Sequence, residues 1–316
     1  MEVTYAKSEL APIVLFTYNR PLHTRQTVEA LRKNELAAES ELIVFSDGPK
    51  NEEVRSKVEE VRKYLKTITG FKRLQIYENE KNCGLANSII DGVTKVVTEF
   101  GRVIVLEDDL VTSPFFLRYM NEALNRYEKE DKVISIHGYV DPVKTFLPET
   151  FFIKGADCWG WATWKRGWNL FEKDGLALLR QIQDQGRSKE FDFENSYDYT
   201  QMLKDQIAQK NNSWAIRWYA SAFLKNKLTL YPGHSLVWNI GIDGSGTHCG
   251  VDHSYGNNVS LFPIIVNEIE ILENLGARKA FSELFRERKG SLFLRLLRKT
   301  SRVLCRIKSF IFKRKL

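Results

Sequence analysis

Apolar residues in this chain come in short runs that stop abruptly in polar ones. "PIVLFTYN" at 12–19, "ELIVFSDG" at 41–48 and "GRVIVLEDD" at 101–109 share that form, and "KRLQIYEN" at 72–79 and "KVISIHGY" at 132–139 extend it. Runs of this length predict strands buried on both faces of a mostly parallel sheet. Between them the spacing becomes helical. In "GLANSIIDGVTKVVTEFG", Leu85, Ile89, Val93, Val96 and Phe100 recur every three or four residues and Gly101 closes the run, which predicts an amphipathic helix with Asn82 as its cap. Strand and helix alternate over roughly the first 140 residues, so the expected fold class is α/β.

Beyond residue 150 the pattern shifts to aromatic-rich helices and loops, with seven Trp, all between 159 and 238. Trp161, Trp164 and Trp168 fall at i, i+3 and i+7, which predicts one buried helical face; Trp214 and Trp218, at i and i+4, predict another. No repeat or low-complexity linker breaks the chain, so the second half is expected to lean on the first as one body, residues 1–277, followed by a tail at 278–316.

Charge sharpens that boundary. The formal net charge is +7, yet residues 278–316 hold fourteen Lys and Arg against Glu283 and Glu287, a net of +12 that leaves −5 for the body. A mildly acidic body argues against a nucleic-acid partner. The tail, "GSLFLRLLRKTSRVLCRIKSFIFKRKL", sets Leu292, Leu296, Val303, Ile307 and Phe310 on one face with Arg295, Arg298, Lys299, Arg302 and Arg306 beside it. That pattern predicts a helix in peripheral contact with an anionic membrane. Cys83, Cys158, Cys249 and Cys305 are widely spaced and are read as free thiols. The polar opening "MEVTYAKSEL" carries no secretory pattern, so the expected place is the cytoplasm, at the inner face of the cell membrane.

The chemistry gathers at the strand ends. In sheets of this class ligands sit outside the carboxyl ends of the strands, and four of those ends are polar: Thr17 to Arg20, Ser46 to Gly48, Asn79 to Asn82, and Glu107 to Asp109. Strand alternation puts Glu107 and Asp109 on one side and Asp108 on the other. Clustered carboxylates repel unless a cation compensates, and their oxygens suit Mn²⁺ or Mg²⁺ holding a diphosphate. Thr112-Ser113-Pro114 also reads as the N-cap of a following helix, whose dipole the acids would favour.

With Asp47 ending the second strand and "LEDD" ending the fourth, the order of elements resembles the nucleotide-sugar-dependent glycosyltransferases of the GT-A fold, family 2-like or family 13-like. The segments "LEDDLVTSPFFLRYMNEAL", "CWGWATW" and "NIGIDGSGTH" narrow the resemblance to bacterial relatives of N-acetylglucosaminyltransferase I, over roughly residues 11–250. The resemblance implies a nucleotide-binding half at about 1–140 and an acceptor half at about 141–277. It implies a metal on Asp109, Asp108 and Glu107 near ribose and sugar, Asp47 at the nucleobase edge, and Thr17, Asn19 and Arg20 beneath the nucleotide. Asn82 and Gly84 mark a helix start open to an anion. Ser245 and His248, in the glycine-rich loop, match a mobile loop over the donor. Asp157 and Trp159 are read as acceptor or donor-sugar contacts.

The implied activity is metal-dependent transfer of a hexosyl or N-acetylhexosaminyl group from a nucleoside-diphosphate sugar, UDP-sugar favoured, to a saccharide or lipid-linked acceptor in surface polysaccharide or lipopolysaccharide assembly. With a carboxylate to take the acceptor proton the linkage would be inverted; without one the chain would be a retaining enzyme or an inactive sugar binder. Where relatives place that acid, this chain reads "NNSWAIRWYAS", with Asn212 and Ala215, so Asp157, Asp243 and Asp205 are the base candidates. Two other readings fit parts of the sequence: a sugar-1-phosphate nucleotidyltransferase, against which "TYNRPLHTR" offers no glycine-rich loop, and a non-catalytic glycan-binding protein, for which the Trp content speaks.

Overall fold

The computed structural model describes residues 10–244 and 259–290. In chain order the first half runs β1 (Ile13–Thr17), α1 (Pro21–Arg32), β2 (Glu41–Ser46), α2 (Glu52–Leu65), β3 (Arg73–Glu78), α3 (Leu85–Phe100), β4 (Arg102–Glu107), β5 (Leu110–Thr112), α4 (Phe116–Arg126) and β6 (Val133–His137). The second half adds β7 (Thr150–Lys154), β8 (Trp161–Trp164), α5 (Lys165–Trp168), α6 (Gly175–Asp184), α7 (Ser188–Phe191), α8 (Tyr199–Ile207), α9 (Trp214–Leu224), β9 (Leu228–Pro232) and β10 (Val237–Asn239). All five expected strands form, and the fold is α/β with a mostly parallel central sheet flanked by helices.

The sheet order is β3-β2-β1-β4-β8-β6-β9-β7. β3, β2, β1 and β4 are parallel; β8 runs against β4 and β6, β9 follows β6, and β7 returns against β9. β5 and β10 form a separate antiparallel pair. The chain builds outward from β1 to β3 and then crosses back to place β4 on the other side of β1. Strand order therefore reverses between β1 and β4, where a crevice opens.

Period-two alternation divides the core. Ile13, Leu15, Leu42, Val44, Ile104 and Leu106 face the side covered by α1, α2 and α4, whereas Val14, Phe16, Ile43, Val103 and Val105 face α3 and α9. Gly92 lets α3 approach closely, since a Cβ there would lie 2.7 Å from the Phe16 ring. α3 ends as expected, with Gly101 left-handed at φ 78°.

Several expectations need correction. Residues after 150 are not only helices and loops, because β7, β8 and β9 extend the same sheet. Trp161 and Trp164 belong to strand β8, where an odd spacing sends them to opposite faces: Trp161 packs against α3 and α9, Trp164 on the other side. A strand buried on both faces shows no alternation, so its tryptophans mimic a helical stripe. Trp168, in α5, and Trp214 and Trp218, in α9, are core as expected. The cap of α3 is Gly84 rather than Asn82, whose amide is engaged elsewhere. α4 starts at Phe116, beyond Thr112-Ser113-Pro114, and its Leu117 N–H is capped by Asn34 Oδ1 at 3.0 Å, from the loop after α1.

A helix over 275–290 passes through the expected tail boundary at 278. Its Ala277, Ala280, Phe281 and Phe285 are buried in a third core with α6, α8 and α9, and Arg278 pairs with Glu273 at 3.0 Å. The amphipathic stretch from Leu292 to Phe310 lies outside the described residues. Among the described residues no helix is long and apolar enough to cross a membrane. Cys83 is an exposed free thiol; Cys249 and Cys305 lie outside the described residues.

Candidate active site

The four polar strand ends meet. β1 and β2 are joined at their ends by Asp47 N–H to Thr17 O at 3.0 Å, and β2 and β3 by Asn79 N–H to Ser46 O at 2.9 Å. Arg62, reaching up from α2, donates to Asn79 O at 2.6 Å and to Asp47 O at 3.3 Å. Sequence reasoning missed Arg62, because an arginine on an amphipathic helix carries no signal of its own.

Asp47 is buried, and its two oxygens accept five hydrogen bonds. The N–H groups of Gly48, Cys83 and Gly84 and the Asn82 amide each lie 2.9 Å away, and the Asn79 amide lies at 3.5 Å. The helix start at 82–84 does take an anion, as helix N-termini do, and that anion is the Asp47 carboxylate. Thr17 is buried and Asn19 is partly exposed beside it.

At the β1–β4 crevice, Arg20 follows β1 and bridges two acids. Its Nη2 pairs with Asp108 Oδ1 and lies 2.9 Å from Asp109 Oδ2. Asp108 is buried, while Glu107 and Asp109 face a cavity of about 320 Å³, the alternation the sequence predicts. Burial pushes Glu107 up to about 8, with Asp109 and Asp108 adding to the rise and Arg20 opposing it. Burial likewise pushes Asp108 up to about 6, against the pull of Arg20. Burial alone would lower the Arg20 pKa, but the two carboxylates outweigh it and hold the guanidinium protonated. One cation faces three acids here.

The same cavity is walled by Trp159, Asn239, Gly241, Leu85 and the segment Asn211 to Ala215. Gly241 sits where a Cβ would come within 2.1 Å of Asp109 Oδ2, so only a glycine leaves that carboxylate its place. Trp159 meets Tyr139 edge to face at 4.8 Å. Of the base candidates, none lines the cavity. Asp157 accepts from the Cys158 N–H at 2.8 Å and the Tyr231 hydroxyl at 3.3 Å, and lies 3.6 Å from buried His137. Asp243 is 3.2 Å from His23. Asp205 is held on α8 by Lys210 and Gln201, whose hydrogen bonds lower its pKa. Ser245 and His248 lie outside the described residues.

Residues 13–184 match the profile of "Glycosyl transferase family 2", more than half of the chain. The chain belongs to glycosyl transferase family 2. Three solved structures resembling this chain have low identity to it. The mannosyltransferase PcManGT of Pyrobaculum calidifontis, in complex with GDP-Man and Mn²⁺, is 12% identical with a TM-score of 0.30, over 42% of this chain and 38% of that one. S. aureus TarS is 16% identical with a TM-score of 0.31, over 46% of this chain and 24% of that one; its residues 1–349 give 14% and 0.35, over 55% and 49%. The chain thus spans less than half the length of each. No curated protein matches it.

Asp109 and Glu107 are the residues of this crevice that could hold a metal. Among the described residues no three His, Cys, Asp or Glu side chains converge on one point. Mg²⁺ and Mn²⁺ bound with substrate phosphates need only one or two carboxylates, which Asp109 with Glu107 supplies, and the surplus of acid over Arg20 favours a cation. Arg20 Nη1 and Asp108 Oδ2 are buried without a hydrogen-bond partner, so the crevice holds unspent polar capacity.

Proposed function

We propose that this transferase moves a sugar from a nucleoside-diphosphate sugar, a UDP-sugar being favoured, to a saccharide or lipid-linked acceptor in surface polysaccharide or lipopolysaccharide assembly, with Mn²⁺ or Mg²⁺ held by Asp109. The observation that carries this reading is the pairing of Glu107 and Asp109 on one cavity wall at the β1–β4 crevice, beside Arg20. The Glu-Asp-Asp strand end and the following Phe-Phe helix support the finer likeness to bacterial relatives of N-acetylglucosaminyltransferase I.

Arg20 orients Asp109 and has one buried guanidinium nitrogen, Nη1, left to donate to a diphosphate oxygen. Asp47 shapes the 79–84 loop on which the base would lie, and Trp159 lines the cavity in which the sugar would sit. When bound, the cation would supply Lewis-acid stabilisation of the leaving diphosphate. The acceptor proton needs a carboxylate, and Asn211 to Ala215 present none. Asp157, two residues before Trp159, and Asp243, two after Gly241, remain the proposed bases, ahead of Asp205.

Titration calorimetry with UDP-sugars and GDP-sugars in Mn²⁺, paired with donor-hydrolysis assays, tests the reading. Asp109→Ala is expected to lower kcat/KM at least about 100-fold, roughly 3 kcal/mol of transition-state stabilisation. Wild-type turnover in that variant, or donor binding indifferent to metal, would defeat it.

A further inference from the structure

A second cavity, of about 250 Å³, lies near the first: Trp159 lines one, and Tyr139, whose ring centroid is 4.8 Å from that of Trp159, lines the other. Tyr139, Asp141, His234 and Ser235 bring a phenol, a carboxylate, an imidazole and a hydroxyl into its wall. Asp141 is fixed there by Arg288 Nη1 at 2.7 Å and the Tyr139 hydroxyl at 3.4 Å. The volume falls below the roughly 300–1,000 Å³ of sites for drug-sized ligands, which suits one sugar ring better than a nucleotide.

Exposed apolar side chains lie in this wall and on the stretch hydrogen-bonded to it. Phe146, in its wall, is 89% exposed, and Leu261, Phe262 and Ile265 are 72%, 77% and 58% exposed. The 260–265 stretch is held against it, Ser260 N–H donating to Ser235 O at 2.7 Å and Ile265 N–H to Glu149 Oε1 at 2.9 Å. Single exposed apolar residues are ordinary, whereas a group of them beside a polar cavity suits an amphiphilic ligand. The helix over 275–290 is tied to the same place by Arg288 to Asp141 and by Lys144 to Glu287 at 2.9 Å. The sequence that continues from it, 291–316, carries nine Lys and Arg and no Asp or Glu, a charge complementary to anionic lipid.

The geometry points to this cavity and its rim as the site of a lipid-linked saccharide acceptor. A sugar ring lies among Tyr139, Asp141 and His234, and the attached apolar chain crosses Phe146, Leu261, Phe262 and Ile265. The inference rests on the transfer reading above and narrows its acceptor to an amphiphile.

Calorimetry on the full chain with matched methyl and n-octyl glycosides of glucose, galactose, mannose and N-acetylglucosamine, below micelle-forming concentrations, tests it. At least one head group is expected to bind about tenfold tighter as the octyl form, the factor that two buried CH₂ groups provide. Phe146→Ala and Phe262→Ser, both exposed and so tolerant of change, are expected to cut that ratio below about threefold. His234→Ala should weaken the methyl and octyl forms alike. Equal affinity of both forms, or an octyl preference that survives both rim variants, overturns the proposal. UDP-sugar binding in Mn²⁺, measured on the same preparations, separates the two readings: intact donor binding without an octyl preference defeats only the acceptor site, and an octyl preference without donor binding defeats only the transfer reading.

Discussion

Asp47 shows how one residue can be read in two ways. As the acid ending the second strand it is expected at a nucleobase edge, yet both its oxygens are committed to the 79–84 loop. Five donors converge on a buried carboxylate, and removing it leaves their N–H groups unsatisfied. Asp47→Ala is therefore expected to cost about 2–3 kcal/mol of stability, read from urea unfolding, along with weaker donor binding. A variant that binds donor poorly but unfolds like the wild type would return Asp47 to base recognition alone. At Asp109 the position in sequence is informative, since strand alternation predicts which acids share a face. Its partners are not, because Arg20 lies 88 residues from Asp108 and only the pairing of β1 with β4 joins them.

Among the elements, β8 is the one the pattern hides most. W-A-T-W has no polar alternation because both faces are covered: Trp161 packs within 5.5–5.9 Å of Trp214, Trp218 and Trp168, while Trp164 donates its indole N–H to Leu124 O at 3.2 Å. The strand seats α9, and α9 begins with residues of the cavity wall. Trp161→Ala should lose about 3–5 kcal/mol, seen as a lower urea midpoint with an unchanged slope. A loss under about 1 kcal/mol would mean that the tryptophan cluster does not brace α9. By contrast α3 was legible to its last residue, since its stripe faces one sheet surface and a left-handed glycine ends it.

At the scale of the whole molecule, Glu190 ties α7 to β7 and to the 275–290 helix. Lys154 on β7 and Arg187 both donate to its carboxylate, and the Glu190 carbonyl accepts from Arg278 on the 275–290 helix. Burial would raise its pKa, but these hydrogen bonds and charges bring it down to about 2 from 4.5. A depressed carboxylate stabilises the fold above its unfolded pKa and loses that contribution as the pH falls through its folded one. Glu190→Gln should then cost about 1 kcal/mol at pH 7, with the difference fading between about pH 4.5 and pH 2 in chemical denaturation. A penalty independent of pH would show that packing, not charge, holds the junction.

Local spacing determined what depends on neighbours along the chain: five strands, helix α3, the face shared by Glu107 and Asp109, and a basic segment after an acidic body. The tertiary structure alone decided what depends on segments far apart. It turned a tryptophan stripe into a strand, gave Asn82 to Asp47, brought Asn211 to Ala215 into one cavity with Glu107, and placed exposed apolar residues near a second. Periodicity reports which way a side chain points, but which surface it then meets is set by sheet order, and β8, β6, β9 and β7 join that sheet in an order no local pattern encodes.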